Sequence, residues 1–248
     1  MTDSILFSHH ISSAQKTDMT EKLENLSSRY FNNKLKGIAS SETAFTPNKQ
    51  LFYSIDILNE AIEFGKQVEF EFLEFTAGNE LKPRTRADGT VRNYIINPYR
   101  IVMARGNYYL ICNYDKYDYI SDYRIDRIIN IQLSDSSAKD IRNVKGCEQG
   151  FNLSDYMASH IYMFSGPLVH ATLRVKKYIL NDIADYFGTA VDFSDETETD
   201  ITVRVKVYEQ DLFLWAVQYA EHVVVLSPDS LRDKVKERLE YALKLYTM

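Results

Sequence analysis

The sequence is poor in the residues that build metal sites and disulfide scaffolds. Its 248 residues include five histidines and two cysteines, Cys112 and Cys147, which form neither a metal-binding spacing nor a disulfide framework. A reducing compartment, the cytoplasm, is therefore the expected location. The chain also lacks an apolar run of the ~20 residues that would cross a bilayer, and its first residues lack the basic start and apolar core of a signal peptide.

Catalytic motifs are missing as well. The sequence contains no phosphate-binding P-loop, no G-x-G-x-x-G, no H-E-x-x-H and no G-x-S-x-G. The histidines His160, His170 and His222 have no spacing that suggests a shared metal ion. We therefore expect no enzyme activity, no cofactor and no metal site, although residues distant in sequence can still meet in space.

Charge is distributed unevenly along the chain. The net charge of −6 disfavours strong general binding of nucleic acid. However, the segment from Lys82 to Arg127 holds nine basic and five acidic residues, whereas the segment from Asp182 to Glu240 holds six basic and fourteen acidic residues. An anionic ligand is thus expected to bind the first segment. Its loop arginines and lysine could contact a nucleic-acid backbone, but a solvated loop is the preferred interpretation: Lys82, Arg84, Arg86 and Arg92.

The most distinctive segment runs from Tyr94 to Ile128 and combines tyrosines with a β-pattern and two close arginines. Its centre, Tyr108-Tyr109-Leu110, follows the turn Arg105-Gly106-Asn107, which predicts a hairpin. Strand alternation places Tyr108 and Leu110 on one face and Tyr109 on the other. The tyrosines Tyr94, Tyr109 and Tyr123 are candidates for stacking on a base; packing in the core with the hydroxyl at the surface is the alternative.

Arg124 and Arg127 are the strongest candidates for anion binding in this segment. Arginine keeps its charge when partly buried and presents a planar fork of donors to phosphate or carboxylate. Ion pairs with Asp122 or Asp126 are the competing explanation. A spacing of three places the two arginines on opposite faces of a regular strand, so a shared pocket requires a bulge or a strand end between them.

These residues resemble the WYL domain, a small β-barrel module named after a Trp-Tyr-Leu run. Here the run reads Tyr108-Tyr109-Leu110, with Asn97-Pro98-Tyr99 before it and the run Tyr123 to Ile128 after it. In this family arginines at the positions of Arg124 and Arg127 are proposed ligand contacts. Phe72 stands where the family often has tyrosine.

The expected architecture is α+β with three parts. Residues 1–50 resemble linker helices, residues 51–150 a WYL domain with a leading helix, and residues 151–248 the C-terminal extension that often follows it. The pattern predicts a helix over residues 54–64 that ends at Gly65, and strands over residues 68–72, 90–96, 99–105, 107–113 and 119–133. These five short strands favour an SH3-like or Sm-like barrel for the WYL domain. Asn152 is the expected cap of a short helix at the start of the extension. The extension shows a β-α-β-β-α-β order with a closing helix, which is typical of a ferredoxin-like domain. Trp215 is expected in its core.

The resemblance implies the effector-binding and dimerisation part of a bacterial transcription regulator. The expected partners are a small anionic ligand, a nucleotide or a single-stranded nucleic acid, together with a second copy of the chain. DNA would be bound only through a winged helix-turn-helix domain, of which no pattern is visible in this sequence. A protein-interaction or dimerisation module without a ligand is the alternative, and an enzyme that acts on nucleotides is a third hypothesis.

Overall fold

The computed structural model describes residues 5, 13–26, 48, 50–78, 80–188 and 191–247. The chain divides into two compact units, Met1–Asp140 and Ile141–Met248. Both units combine helices with antiparallel sheets, which confirms the α+β class. Among the described helices, none has the length and apolar character needed to span a membrane.

Helices α1 (Ser13–Leu26) and α2 (Leu51–Phe64) precede the sheet of the first unit. The remaining residues of the predicted linker lie mostly outside the described ranges. Helix α2 begins three residues earlier than the sequence predicts. It ends as predicted at Gly65, whose left-handed backbone (φ 59°) brings its amide to the carbonyl groups of Ala61 and Ile62.

Six antiparallel strands form the sheet of this unit. They are β1 (Lys66–Phe75), β2 (Leu81–Pro83), β3 (Asn93–Ala104), β4 (Asn107–Tyr114), β5 (Ile120–Arg124) and β6 (Ile128–Ser137). The pairing order is β2-β1-β3-β4-β5, and β6 also pairs with β1. Among the described residues no pairing joins β5 to β6, so hydrogen bonds do not close the sheet into a barrel.

Two features of this sheet differ from the sequence prediction. The strands predicted on either side of Pro98 are one long strand, β3, with a register shift between Pro98 and Arg100. Such a bulge accommodates a residue that has no N–H to donate. The last β-segment, predicted as a single strand, is divided by a 3-10 turn at Ile125–Arg127 into β5 and β6.

The core of the first unit lies between α2 and the inner face of the sheet. Leu58, Phe70, Ile96 and Leu110 are fully buried there. Tyr108 packs against the same cluster but is only partly buried, so the prediction that Tyr108 and Leu110 share the core face is confirmed. The central tyrosine-leucine run therefore contributes to the core of the sheet.

The second unit follows the predicted order of elements. Its main elements are α3 (Leu153–Ala158), β7 (Leu168–Lys176), α4 (Leu180–Phe187), β8 (Asp192–Ser194), β9 (Asp200–Tyr208), α5 (Glu209–Gln218), β10 (Val223–Ser227) and α6 (Asp229–Tyr246). The antiparallel sheet has the order β10-β7-β9-β8. Asn152 caps α3 as predicted, because its side chain accepts hydrogen bonds from the amides of Ser154 and Asp155. Trp215 is fully buried in the core, also as predicted.

A buried carboxylate organises the segment that leads into β7. Asp211, on α5, is fully buried. Its Oδ2 accepts hydrogen bonds from the amides of Ile161 (2.6 Å) and Tyr162 (2.9 Å), and its Oδ1 accepts one from the amide of Phe164 (3.1 Å). A loop that would otherwise bury unpaired amides is thus held by one side chain distant in sequence.

His160 lies in the same region and makes the stability of the second unit depend on pH. Its Nδ1 donates to the carbonyl of Tyr156 at 2.8 Å, and its ring stacks on Tyr208 at 3.8 Å. Burial lowers the pKa of His160, although the Tyr156 carbonyl and Asp211 oppose this shift. The unfolded chain therefore binds a proton at a higher pH than the folded chain, and folding stability falls as the pH drops below about 6.5, the unperturbed value.

We expect a slope of up to about 1.4 kcal/mol per pH unit from this residue between the unperturbed and the lowered pKa. The measurement is urea unfolding of the wild type and His160→Asn from pH 7.5 to 5.5. The asparagine amide can replace Nδ1 as the donor to Tyr156 but does not titrate. Equal slopes for both proteins would contradict the assignment.

Candidate functional site

Five aromatic rings on the inner face of the first sheet form one cluster, which we call the aromatic cluster: Phe70, Phe72, Tyr94, Tyr114 and Tyr123. Neighbouring centroids are 5.3–6.2 Å apart, within the range of favourable ring contacts. The cluster forms because β1 pairs Phe70 with Tyr94 of β3, while β4 pairs Leu110 with Tyr123 of β5. Two of the predicted site residues, Tyr94 and Tyr123, therefore meet.

Two arginines cover these rings, and sequence reasoning did not identify them. The Arg92 guanidinium lies 4.7 Å from the centroid of Tyr94 and 5.9 Å from that of Tyr114. The guanidinium of Arg84 lies 5.2 Å from the Phe72 centroid and also bonds Glu74 at 2.9 Å. The interpretation of these residues as a solvated loop was wrong for Arg84 and Arg92. Their position depends on the pairing of β1 with β2 and β3, for which the sequence carries no local signal.

The hydroxyl group of Tyr123 stays protonated at neutral pH. Burial raises the pKa of Tyr123 well above its ordinary value, with smaller contributions from Cys112 and Tyr94. The Tyr94 hydroxyl is buried and meets hydrogen-bond geometry with no group in the described part of the chain. Burial lowers the pKa of Arg84, but its side-chain interaction with Tyr94, followed by that with Glu74, outweighs burial and raises this pKa. The Tyr94 hydroxyl therefore already has a cationic neighbour.

Arg124, at the end of β5, is held by a carboxylate. Its Nε and Nη2 donate to the two oxygens of Asp126 at 2.9 and 2.6 Å, and Nη2 also donates to Asn107 at 2.8 Å. Asp126 is almost completely buried. Burial acts against the charged form of Arg124, but the hydrogen bonds and charge of Asp126 outweigh it and raise its pKa. Arg124 thus has the ion pair that the sequence left open as the alternative.

Arg127 is in a different electrostatic position. It ends the 3-10 turn, so a strand end separates it from Arg124, as a shared pocket requires. It is partly buried and lies 5.8 Å from the centroid of the Phe75 ring. Within the described residues its guanidinium forms no hydrogen bond and no ion pair. Burial and then the charge of Arg124 lower its pKa, and Arg84 adds to this effect while Asp126 opposes it.

Tyr109 lies apart from the aromatic cluster. It pairs with Arg124 across β4 and β5, on the face opposite to Tyr123. Burial raises its pKa, and the charge of Arg124 opposes this shift. The five predicted residues therefore divide into two groups on the two faces of the sheet, Tyr94 with Tyr123 and Tyr109 with Arg124. Arg127 interacts electrostatically with both groups, through Arg84 beside the aromatic cluster and through Tyr109 on the opposite face.

Further tyrosines continue from the aromatic cluster into the loop between β4 and β5. Tyr117 packs against Tyr114 with centroids 5.7 Å apart, and Tyr119 stacks on Tyr117 at 5.3 Å. Both loop tyrosines are exposed, and Lys116 lies 6.0 Å from the ring of Tyr117. The described residues contain no grouping of His, Cys, Asp or Glu that would hold a metal ion. The site offers flat ring faces and cations, the requirements for binding a planar anion.

Comparison with solved structures gives two partial similarities. One is to a structure described as proteasome accessory factor B/C (PafBC) of Arthrobacter aurescens, with 15% identity, a TM-score of 0.35, and coverage of 81% of this chain and 28% of that chain. The other is to a CRISPR Cas-related protein, with 12% identity, a TM-score of 0.45, and coverage of 79% and 53%. The chain thus spans about a quarter to a half of those proteins. A search of curated proteins found no match.

Family comparison gives a direct assignment for both units. Residues 54–133 match the WYL domain, and residues 167–243 match the WCX domain. The first match contains the aromatic cluster, its covering arginines and both Arg124 and Arg127, and the second contains the four-stranded sheet and Trp215. The two matches together cover more than half of the chain, which therefore belongs to the family of WYL-domain proteins that carry a WCX domain after the WYL domain.

Proposed function

We propose that this chain is the effector-binding and dimerisation part of a bacterial WYL-type transcription regulator, and that its WYL domain binds a small anionic ligand. A nucleotide or the end of a single-stranded nucleic acid fits the site best, because each combines a phosphate with a flat base. Family membership supports the regulatory role, and the chemistry of the site supports the ligand.

The single observation that carries this proposal is the state of Arg127. Arg124 is neutralised by Asp126, whereas Arg127 is partly buried next to two other cations and forms no ion pair within the described residues. A cation in such surroundings is destabilised, and a bound phosphate or carboxylate would relieve that cost through charge-assisted hydrogen bonds. Of the two predicted arginines, Arg127 is therefore the one whose guanidinium is available to bind an anion.

The aromatic residues favour a ligand with a base over a plain inorganic anion. Arg92 and Arg84 already stack on cluster rings, and a base would stack beside them or between them and the rings. Tyr117 and Tyr119 offer a further exposed stacking surface next to the cluster. The end of a single-stranded nucleic acid, a few nucleotides long, would contact both the aromatic cluster and the two loop tyrosines. A mononucleotide would contact only the aromatic cluster.

The finer fold and the regulatory mechanism belong to the same proposal. The strand order with a 3-10 turn before β6 suits an SH3-like barrel, and the order β10-β7-β9-β8 suits a ferredoxin-like domain. We propose that the WCX domain dimerises, in the cytoplasm, and that DNA is bound by a helix-turn-helix domain outside the described residues. Ligand binding would regulate only if it favours one dimer arrangement over another.

Binding of nucleotides and short oligonucleotides tests the proposal. We expect Arg127→Ala to weaken the binding of a nucleoside monophosphate or a short single-stranded oligonucleotide by roughly 10- to 100-fold, the value of one charge-assisted hydrogen-bonding group. The folded state should be unchanged, because Arg127 forms no ion pair that the substitution would break. Isothermal titration calorimetry measures the affinity, and thermal unfolding checks the fold.

The matched control is Arg86→Ala, which removes an exposed arginine that bonds Thr90 and contacts no ring of the cluster. Its affinity should equal that of the wild type. Undetectable binding by the wild type, or equal affinities for wild type and Arg127→Ala, would reject the ligand and favour a protein-interaction module. Turnover of the bound nucleotide would instead favour an enzyme.

A further inference from the structure

The sheet of the second unit has two different faces. Its inner face packs against the helices through apolar residues, among them Leu173, Val203 and Val225. On its other face β7 and β9 carry polar and charged residues at every second position: His170, Thr172, Arg174 and Lys176 on β7, and Thr202, Arg204 and Lys206 on β9. We call this outer set the basic face.

Strand register fixes the arrangement of the basic face. His170 pairs with Lys206, Thr172 with Arg204, and Arg174 with Thr202. Residues two apart along a strand are separated by about 6.8 Å, and directly opposed residues by about 5 Å. Arg204 thus has Lys206 about 7 Å away on its own strand and Arg174 about 8 Å away diagonally across on β7, so it is the central one of three permanent cations.

These cations are exposed and little neutralised. Arg174, Arg204 and Lys206 are all exposed, and across the described residues no hydrogen bond or ion pair engages their side chains. Asp200 pairs with Lys176 at 3.0 Å and is also close enough for the charge of Arg174 to act on it, so Arg174 is partly neutralised. Asp192 of the edge strand β8 stands opposite Arg204 in register without bonding it. Cations that repel one another lower the folding stability unless an external anion binds them. Arg204 and Lys206 stand out further because they lie in the strongly acidic part of the chain.

We propose that the basic face is a second binding surface, independent of the WYL domain, for the phosphate backbone of a nucleic acid. Two features favour phosphates over an acidic peptide. The cations spread across two neighbouring strands of the sheet. Thr172 lies opposite Arg204 and is partly exposed, so it adds a hydroxyl donor of the kind that commonly binds phosphate oxygens.

The same features define the mode of binding. From the His170–Lys206 pair to the Arg174–Thr202 pair, the outer positions of β7 and β9 carry a single ring, that of His170, so bases have little stacking surface there. Binding should therefore be independent of base sequence and sensitive to salt. With three cations engaged, the slope of log affinity against log salt should be roughly −2 on a single strand.

Fluorescence anisotropy with a labelled, mixed-sequence 20-nucleotide DNA strand tests this proposal. All proteins carry Arg127→Ala, which reduces the contribution of the WYL site equally in each of them, and they are compared as full chains at several salt concentrations. The test variant adds Arg174→Glu and Arg204→Glu. We expect it to bind at least about tenfold more weakly and to lose most of the salt slope. Asp192→Asn should bind more tightly, because it removes the carboxylate opposite Arg204.

The matched control adds Lys236→Glu and Lys244→Glu, which reverse two exposed lysines on α6 and change the net charge by the same amount as the test variant. Binding by this control that falls as much as in the test variant would overturn the proposal, because net charge alone would then explain the effect. So would a test variant that binds like its parent, or poly-glutamate that competes as well as DNA at equal charge. Mononucleotide binding to chains with intact Arg127 reports on the WYL site separately, so failure of one proposal is distinguishable from failure of the other.

Discussion

Asp126→Ala is expected to destabilise the WYL-containing unit by about 2–3 kcal/mol, because it leaves the Arg124 guanidinium without a counter-ion. Breaking a buried ion pair by removing one partner costs about 3–5 kcal/mol. We take a lower value here because the Arg124 side chain is 27% exposed, so water screens part of its charge. Asn107 remains as a hydrogen-bond acceptor but carries no charge.

The reverse substitution, Arg124→Ala, removes the bidentate cationic partner of the Asp126 carboxylate, whose side chain is only 1% exposed. Its cost should be similar, and the double variant should cost clearly less than the sum of the two single ones. Urea unfolding monitored by tyrosine fluorescence and circular dichroism measures all three. Asp118→Ala, an exposed carboxylate in the loop between β4 and β5, is the control and should be nearly neutral.

Additive effects in this cycle would contradict the ion pair as the main role of Arg124. If the coupling is found, a loss of ligand binding in Arg124→Ala cannot be attributed to a lost ligand contact, because the site itself would be disturbed. Arg127 is then the informative position for ligand binding, and its substitution should leave the unfolding free energy nearly unchanged. The two neighbouring arginines thus give opposite expectations for stability and for binding.

Asp211→Ala should destabilise the WCX-containing unit by about 3–4 kcal/mol. The substitution removes the acceptor of three backbone amides, those of Ile161, Tyr162 and Phe164, at a fully buried position. Each buried amide left without a partner costs about 1–3 kcal/mol, and local rearrangement that admits water reduces the sum. The cavity left by the side chain adds to the cost.

Asp211→Asn should retain about half of that stability. Its carbonyl oxygen can still accept from Ile161 and Tyr162, whereas its NH2 group would face the amide of Phe164, donor against donor. Chemical unfolding of the WCX-containing unit, followed by the fluorescence of Trp215 in its core, measures both variants. Asp185→Ala, an exposed carboxylate on α4, is the matched control. If Asp211→Ala proved as stable as this control, the three hydrogen bonds would not be a major source of stability.

The sequence by itself determined the family, the α+β class and most of the element order. These features depend on local patterns, each of which lies within a single short segment of the sequence. Gly65 ends a helix, Asn152 caps one, and Trp215 lies on the apolar face of another, as the sequence predicts. The bounds were less accurate where the chain departs from regular strands, at the bulge after Pro98 and at the 3-10 turn Ile125–Arg127.

Only the tertiary structure decided which charges are neutralised and which remain available. Arg124 and Arg127 look equivalent in sequence, because both lie within two residues of Asp126. The turn directs the carboxylate to Arg124, and the charges that surround Arg127 come from Arg84 and Arg124. Arg84 and Arg92 reach the aromatic cluster only because β1 pairs with β2 and β3. Electrostatic interactions act through space between residues that sequence separates, so a local pattern reveals which residues are charged but not which charges are left unpaired.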